Sequence, residues 1–142
     1  MSWPSQMMLG IAAIDNAHKA LIEELARLMI TPDGQFEAGL AALIARMQCD
    51  FCEEEALMEA IDFTGLPRHR EQHARVLSTL YHVIPGVMQG DCAAARKVIG
   101  LIPHWFLFHL SSMDTQLALA LDLVGLQASP PRLPIAQPNV VR

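Results

Sequence analysis

Apolar residues recur at every third or fourth position in four long stretches of the chain, separated by short polar segments. This spacing places apolar side chains along one face of an α-helix. The separating segments, at residues 31–34, 64–67 and 85–86, contain the glycine and proline that end helices. The pattern therefore predicts helices at about residues 15–30, 35–60, 68–84 and 91–126. Long helices with short connections and no convincing strand predict an all-α fold, an up-down-up-down antiparallel four-helix bundle.

The predicted helix ends carry local signals. Asp15 or Asn16 can cap the first helix and Asp91 the fourth, because short polar side chains accept hydrogen bonds from backbone N–H groups at a helix start. Residues 85–86 are expected to stop the third helix. Pro103 lies inside the fourth helix and predicts a kink there, since proline lacks the N–H that the helix needs.

One domain is expected, the helical bundle at residues 1–127, followed by a tail at residues 128–142. An irregular lead contains Trp3, which is expected to pack onto the bundle. The tail has four prolines and no apolar periodicity. Such a composition does not need an ordered structure of its own.

Charge and composition exclude several classes of partner. Fifteen acidic residues against ten basic ones give a formal net charge of -5, which argues against nucleic acid and against an anionic membrane surface. No apolar run approaches the roughly 20 residues of a membrane-spanning helix, and the N-terminus does not resemble a signal peptide. With three cysteines, a disulfide framework is not indicated. We expect a cytoplasmic protein without membrane insertion, and a monomer.

Cys49 and Cys52 form a C-x-x-C pair, the spacing used by thiol oxidoreductases and by half of some zinc sites. Here the pair lies in the middle of a predicted helix, with no strand before it and no second cysteine pair. We interpret both as small helix residues rather than as a redox pair.

Several metal-binding side chains occupy positions where the helices should be apolar. Buried carboxylates need a cationic partner, and these helix faces offer histidine instead of lysine or arginine. Pairs at i and i+4 lie one turn apart on the same face. The candidates, drawn from all four helices, are His18, Asp50, Glu54, His69, His73, His109 and Asp114.

Each of these signals is weak alone, because a histidine pair is often a solvated face and a single inward histidine is often a hydrogen-bonded core residue. Together, seven such side chains are too many for one ion and suit two adjacent ions bridged by carboxylates, in the bundle core. Imidazole with carboxylate favours iron, manganese or zinc.

The spacing of His109 and Asp114 is unusual, since five residues of an ideal helix turn them about 140° apart. Either one side chain reaches in from the side, or the helix is locally distorted. Trp105 is expected in the core or beside the metals, together with Phe51. His82 and His104 are expected at the surface. For His104, an alternative is a position behind the metal ligands, in contact with them but not with the metal.

Motifs in this order resemble those of the hemerythrin family, specifically single-domain bacterial hemerythrins, over about residues 3–117. The matching residues are Trp3; Ile14, Asp15, His18, Lys19 and Leu21; Glu54 to Met58; Pro67, His69 and His73; and Trp105, His109 and Asp114.

The resemblance implies a non-haem di-iron protein that binds dioxygen, for carriage, storage, delivery or sensing. His69, His73 and His109 would hold one iron and His18 the other. Glu54 and Asp114 would bridge them, with an oxo or hydroxo group completing the bridge. In the family, the iron with fewer protein ligands keeps an open site for dioxygen. A redox partner is a further expectation.

Asp50 departs from the family pattern, which has histidine at this position. A carboxylate in its place favours ferric over ferrous iron, because it removes one positive unit from a buried cluster. This substitution supports an alternative function, a di-iron oxidase or peroxidase. A protein that handles iron, or that holds metal for structure alone, is a third possibility.

Overall fold

The structure, a computed structural model, describes residues 9–125, which contain helices and no strand. The helices are α1 (Ala12–Met29), α2 (Asp33–Ala60), α3 (Leu66–Met88), α4 (Ala93–His109) and α5 (Thr115–Leu123), with a π-helical segment, Leu110–Asp114, joining α4 to α5. α1 contacts α2 and α4, and α3 contacts α2 and α4, so the helices close into a ring. The predicted all-α four-helix bundle is confirmed. The predictions for Trp3 and for the tail at residues 128–142 lie outside the described residues.

The core has two apolar clusters with a polar layer between them. The larger cluster includes Leu25, Phe36, Leu80 and Ile99. The smaller one comprises Ile11, Ile14, Met58, Leu117 and Leu121. Along α1 the order is small cluster, polar layer, large cluster, and along α2 it is the reverse. Neighbouring helices are therefore antiparallel, and their polar inner residues meet at one level.

The start of α1 differs from the prediction. The helix begins three residues earlier than expected, after Ile11, so capping by Asp15 or Asn16 is wrong. Asp15 lies in the first turn and is buried. Its carboxylate accepts hydrogen bonds from the N–H groups of Leu9 (2.8 Å) and Gly10 (3.0 Å). The side chain therefore ties the segment before the helix onto the helix itself.

Pro85 and Gly86 do not stop α3, which continues to Met88. The tertiary structure outweighs these local signals because Val87, in the last turn, is buried in the larger cluster. The chain reverses four residues beyond Gly86, at Gly90, whose φ of 92° is readily adopted only by glycine.

The predicted helix at residues 91–126 is continuous from Ala93 to Leu123, but a π-helical segment distorts its second half. Cys92, rather than the predicted Asp91, is the N-cap residue of α4, although the Ala93 N–H still donates to Asp91 Oδ1 (3.1 Å). α4 continues through Pro103. After His109 the chain widens into the π-helical segment. There the Thr115 N–H donates to the Leu110 carbonyl, and the Thr115 hydroxyl donates to the same oxygen (2.8 Å). Within residues 9–125, no helix has both the length and the apolar character to cross a membrane.

Candidate metal centre

Six of the seven predicted side chains meet in the polar layer. They come from α1, α2, α3, α4 and the π-helical segment, and all are buried: His18, Glu54, His69, His73, His109 and Asp114. Asp50 is only half-buried. The bundle thus concentrates four imidazoles and two carboxylates at one level of its core.

Glu54 directs its two oxygens toward different imidazoles. Oε1 lies 3.1 Å from His73 Nε2 and 3.3 Å from His69 Nε2, and it faces His109 Nε2 at 3.9 Å. Oε2 faces His18 Nε2 at 3.7 Å. A single carboxylate therefore lies between a group of three imidazoles and a fourth imidazole.

Asp114 divides its oxygens in the same way. Oδ1 lies 2.6 Å from His69 Nε2 and 3.0 Å from His109 Nε2. Oδ2 lies 3.3 Å from His18 Nε2. The two carboxylates consequently span the same two places.

The π-helical segment makes this arrangement possible. In a regular helix Asp114 would point about 140° away from His109. A π turn closes hydrogen bonds five residues apart and so brings residues at i and i+5 onto one face. Of the two alternatives that the sequence left open, the structure contains the local distortion.

Two sets of ligand atoms could each hold a metal ion. One set comprises Glu54, His69, His73 and His109, and the other comprises His18, Glu54 and Asp114; within each set the atoms lie within 4.8 Å of one another. His73 Nε2 and His109 Nε2 approach to 3.3 Å, which brings two nitrogen lone pairs together if both rings are neutral and carry their proton on Nδ1. This donor set suits iron, manganese or zinc, so the residues fit a metal.

The electrostatics also favour added positive charge. Burial by itself lowers the pKa of His18, but Asp114 and Glu54 outweigh burial and raise the pKa to about 9. The pKa of His69 is raised to about 9 against the same effect, and that of His109 is raised as well. Burial favours protonation of Glu54 and Asp114, yet the imidazoles hold the pKa of each below its usual range. The carboxylates are therefore ionised and attract cations, whether protons or a metal.

The carboxylate of Glu55 contacts the ring nitrogen of His73 that faces away from the other candidate ligands. Glu55 Oε2 lies 2.8 Å from His73 Nδ1, and Arg70 Nε donates to Glu55 Oε1 (3.2 Å). Such a partner fixes the tautomer that leaves Nε2 free for a metal. Sequence reasoning missed Glu55, although its place directly after Glu54 in an acidic run on the same helix was a usable signal.

Aromatic rings hold three of the imidazoles in place. Phe51 stacks on His73 with ring centroids 3.8 Å apart, and Trp105 stacks on His109 at 4.8 Å. Phe106 meets His18 edge to face at 4.9 Å. Trp105 was expected in the core but is only partly buried. Its neighbour Phe106 is buried in the core instead. The sequence pattern had not singled out Phe106.

A cavity of about 50 Å³ adjoins the polar layer on the side of His18. Apolar residues form much of its wall, and Phe51 is one of them, whereas Trp105 lines a separate groove between α3 and α4. Asp50 also lines the cavity but belongs to neither metal-binding set. Its partial burial raises the pKa of its carboxyl to about 6. The volume suits a diatomic molecule or very few waters.

The other polar candidates lie at the surface. Cys49 and Cys52 are exposed free thiols, and Glu53 raises the pKa of Cys49, which reduces its thiolate form. His82 and His104 are exposed, as expected. These positions are consistent with the interpretation of the cysteines as ordinary helix residues.

Comparison with known proteins finds relatives over most of the chain. It is 35% identical to a bacteriohemerythrin of Ralstonia nicotianae over 114 residues, 80% of this chain and 83% of that protein. A bacteriohemerythrin of Pseudomonas aeruginosa is 24% identical over 79% of this chain and 75% of its own. A myohemerythrin of Riftia pachyptila is 21% identical over 79% of this chain and 86% of its own. No family model and no solved structure matches the chain.

Proposed function

The chain belongs to the hemerythrin family, and on that basis we propose that it is a non-haem di-iron protein that binds dioxygen. Carriage, storage, delivery and sensing are all compatible with this chemistry. The free cysteines support a reducing compartment. We therefore propose that the protein is located in the cytoplasm.

The division of the carboxylate oxygens carries the proposal of two ions. Glu54 and Asp114 each direct one oxygen toward the group of His69, His73 and His109 and the other toward His18. This is the arrangement that bridging carboxylates need. We propose that the three histidines hold one iron, that His18 holds the other, and that an oxo or hydroxo group completes the bridge. Bound iron would supply the electrons and the vacant coordination position that dioxygen binding requires.

The cavity beside His18 supports dioxygen as the ligand. It adjoins His18, which would hold the ion with fewer protein ligands, and its apolar wall would limit the amount of water there. The side chains of Ile14, Leu21 and Phe106 contribute to this wall. Phe51 and Trp105, which stack on His73 and His109, would help to enclose the ion that the three histidines would hold. Small uncharged molecules would therefore meet the site from the side of α1.

Metal analysis combined with optical spectra tests this proposal. The protein should bind about two iron ions per chain and develop oxo-to-iron charge-transfer bands when its reduced form meets air. His73→Ala should retain at most one tightly held ion, whereas His82→Ala, a change at an exposed histidine of the same helix, should retain both. A colourless protein holding one zinc ion would refute the proposal, and two ions retained in His73→Ala would remove His73 from the ligand set.

Asp50 favours a second candidate, a di-iron oxidase or peroxidase. Its carboxylate lines the cavity where the family pattern has an imidazole ligand, and negative charge there favours ferric iron. Asp50→His should then slow autoxidation and lengthen the life of the oxygenated form in stopped-flow spectra. If the parent protein already binds dioxygen reversibly and the variant only matches it, the carrier function is favoured. Iron uptake without any reaction with dioxygen would instead indicate an iron-handling protein.

A further inference from the structure

The cavity beside His18 has an excess of acidic groups. Among the residues that line it, all within residues 9–125, are two imidazoles and no lysine or arginine, against four carboxylates: Asp50, Glu53, Glu54 and Asp114. Glu54 and Asp114 face histidines, so imidazolium or metal can match their charge. Asp50 and Glu53 are outside both metal-binding sets. The wall therefore carries negative charge beyond what the candidate ligands neutralise.

Asp50 is the more important of these two groups because part of its carboxylate is inside the protein. Its Oδ2 atom is inaccessible to solvent and has no hydrogen-bond partner among the described residues. Glu53, which directly precedes the candidate ligand Glu54, is exposed. Arg46, one turn before Asp50 on α2, forms its ion pair with Glu24 of α1, with 2.6 Å between Nε and Oε1. Arg46 and His18 act on the Asp50 carboxylate electrostatically, but no group donates a hydrogen bond to its buried oxygen among the described residues, so Asp50 presents negative charge to the cavity.

We propose that Asp50 makes this cavity select small uncharged molecules, such as dioxygen and nitric oxide, against small anions. The inference rests on the proposed function, since it concerns molecules that bind at the metal from this cavity. In about 50 Å³ an anion cannot lie far from the carboxylate. Two like charges about 6 Å apart, at an effective dielectric constant of about 20, would weaken anion binding about 100-fold. Solvent screening of the half-exposed Asp50 reduces the expected effect to about tenfold. An uncharged ligand experiences no such repulsion.

The test compares an anionic probe with an uncharged probe on the iron-loaded protein. Azide is titrated into the oxidised protein and nitric oxide into the reduced protein, with optical detection at about pH 8, where a carboxyl of pKa about 6 is ionised. Asp50→Asn removes the charge and keeps the shape. We expect it to tighten azide binding about tenfold and to leave nitric oxide binding unchanged.

Two further variants separate charge at the cavity from charge in general. Glu37→Gln removes an exposed carboxylate near the far end of the same helix and should leave azide binding unchanged. Glu53→Gln removes the exposed carboxylate of the cavity lining and should give a smaller change than Asp50→Asn. Iron content and the circular dichroism spectrum of each variant establish that the site and the fold are intact.

Each other outcome has a defined meaning. Azide affinity that stays the same in Asp50→Asn would overturn the inference while leaving the proposed function in place. A loss of iron, or equal changes for azide and nitric oxide, would identify Asp50 as a metal ligand and also overturn it. A parent protein that takes up no iron would refute the proposed function first, and the inference with it.

Discussion

Removing the metal should make the stability of the fold strongly dependent on pH between about 6.5 and 9. In the folded chain the pKa of His18 is raised from 6.5 to about 9. Because the folded-state pKa exceeds the unfolded value, protonated His18 stabilises the fold fully below pH 6.5. This stabilisation is lost as the pH rises to about 9. His69, whose pKa is raised to a similar value, acts in the same direction.

The size of the effect follows from the pKa of His18 in the two states. The pKa of His18 is 6.5 in the unfolded chain and about 9 in the folded chain. At about 1.4 kcal/mol for each unit of pKa difference, protonation of His18 contributes about 3 kcal/mol to the free energy of unfolding. Domains of this kind are typically stable by about 5–15 kcal/mol, so one side chain controls a large fraction of the total. Glu54 and Asp114 act at the acidic end, where lowering the pH protonates them and removes their contribution. Stability of the metal-free protein should therefore be greatest at about pH 5–6.5.

Urea unfolding of chelator-treated protein at about pH 6 and pH 9 measures this effect. The parent should lose at least about 3 kcal/mol between the two conditions. His18→Gln, which stays neutral and can still donate a hydrogen bond, should lose about 3 kcal/mol less. Iron-loaded protein should respond in the opposite direction, because metal binding needs neutral imidazoles and releases protons. Equal midpoints for the metal-free parent at both pH values, or a higher midpoint at pH 9, would refute the reasoning.

Three other changes give direct tests of the site and its supports. Glu55→Gln should weaken iron binding about 10-fold or more, since the carboxylate partner of a ligand imidazole usually contributes 10–100-fold to metal affinity. Competition with a chelator measures the iron affinity, and an unchanged affinity would contradict this prediction. Thr115→Val removes a hydrogen bond from the π-helical segment and should cost about 1 kcal/mol in denaturant unfolding as well as some iron content. Its control, Thr79→Val, removes a similar but exposed bond in a regular helix and should leave iron content unchanged. The double change Cys49→Ser and Cys52→Ser should preserve iron content and the air-oxidation spectrum, because both thiols are exposed. A variant that keeps its iron but no longer reacts with dioxygen would indicate a thiol redox role.

The helical bundle could be predicted because its apolar faces have the period of the helix itself. Features that depend on contacts between helices could not be predicted in this way. Burial of Val87 carries α3 past Pro85, and no local pattern indicates this. The π-helical segment is concealed for a similar reason, since buried residues such as Phe106, Leu110 and Leu117 continue at helical spacing across it. Only the polar pair five residues apart indicated the distortion.

The polar layer could be predicted because histidines and carboxylates are conspicuous on an apolar face. The position of Asp50 could not, because it shares the i, i+4 relation with Glu54 and reads as an equal partner. Its carboxylate lies on the cavity wall, outside both metal-binding sets, and its role as a metal ligand stays a prediction. Glu55 was missed because it lies at the edge of the apolar face, where a carboxylate is usually solvated. Distinguishing these roles requires the side-chain directions that only packing defines.

The division of the core into two unequal clusters has a consequence for how the protein opens. The smaller cluster holds five buried residues against 19 in the larger one, and it joins the first turns of α1 to the end of α2 and to α5. Regions with little buried apolar surface unfold locally at lower free energy than the whole domain. Amide hydrogens around Ile14, Met58 and Leu121 should therefore exchange with solvent sooner than those around Leu25 and Ile99. Metal held in the polar layer would join the two ends into one cooperative unit, so exchange of the ion itself would proceed through opening of the weaker end.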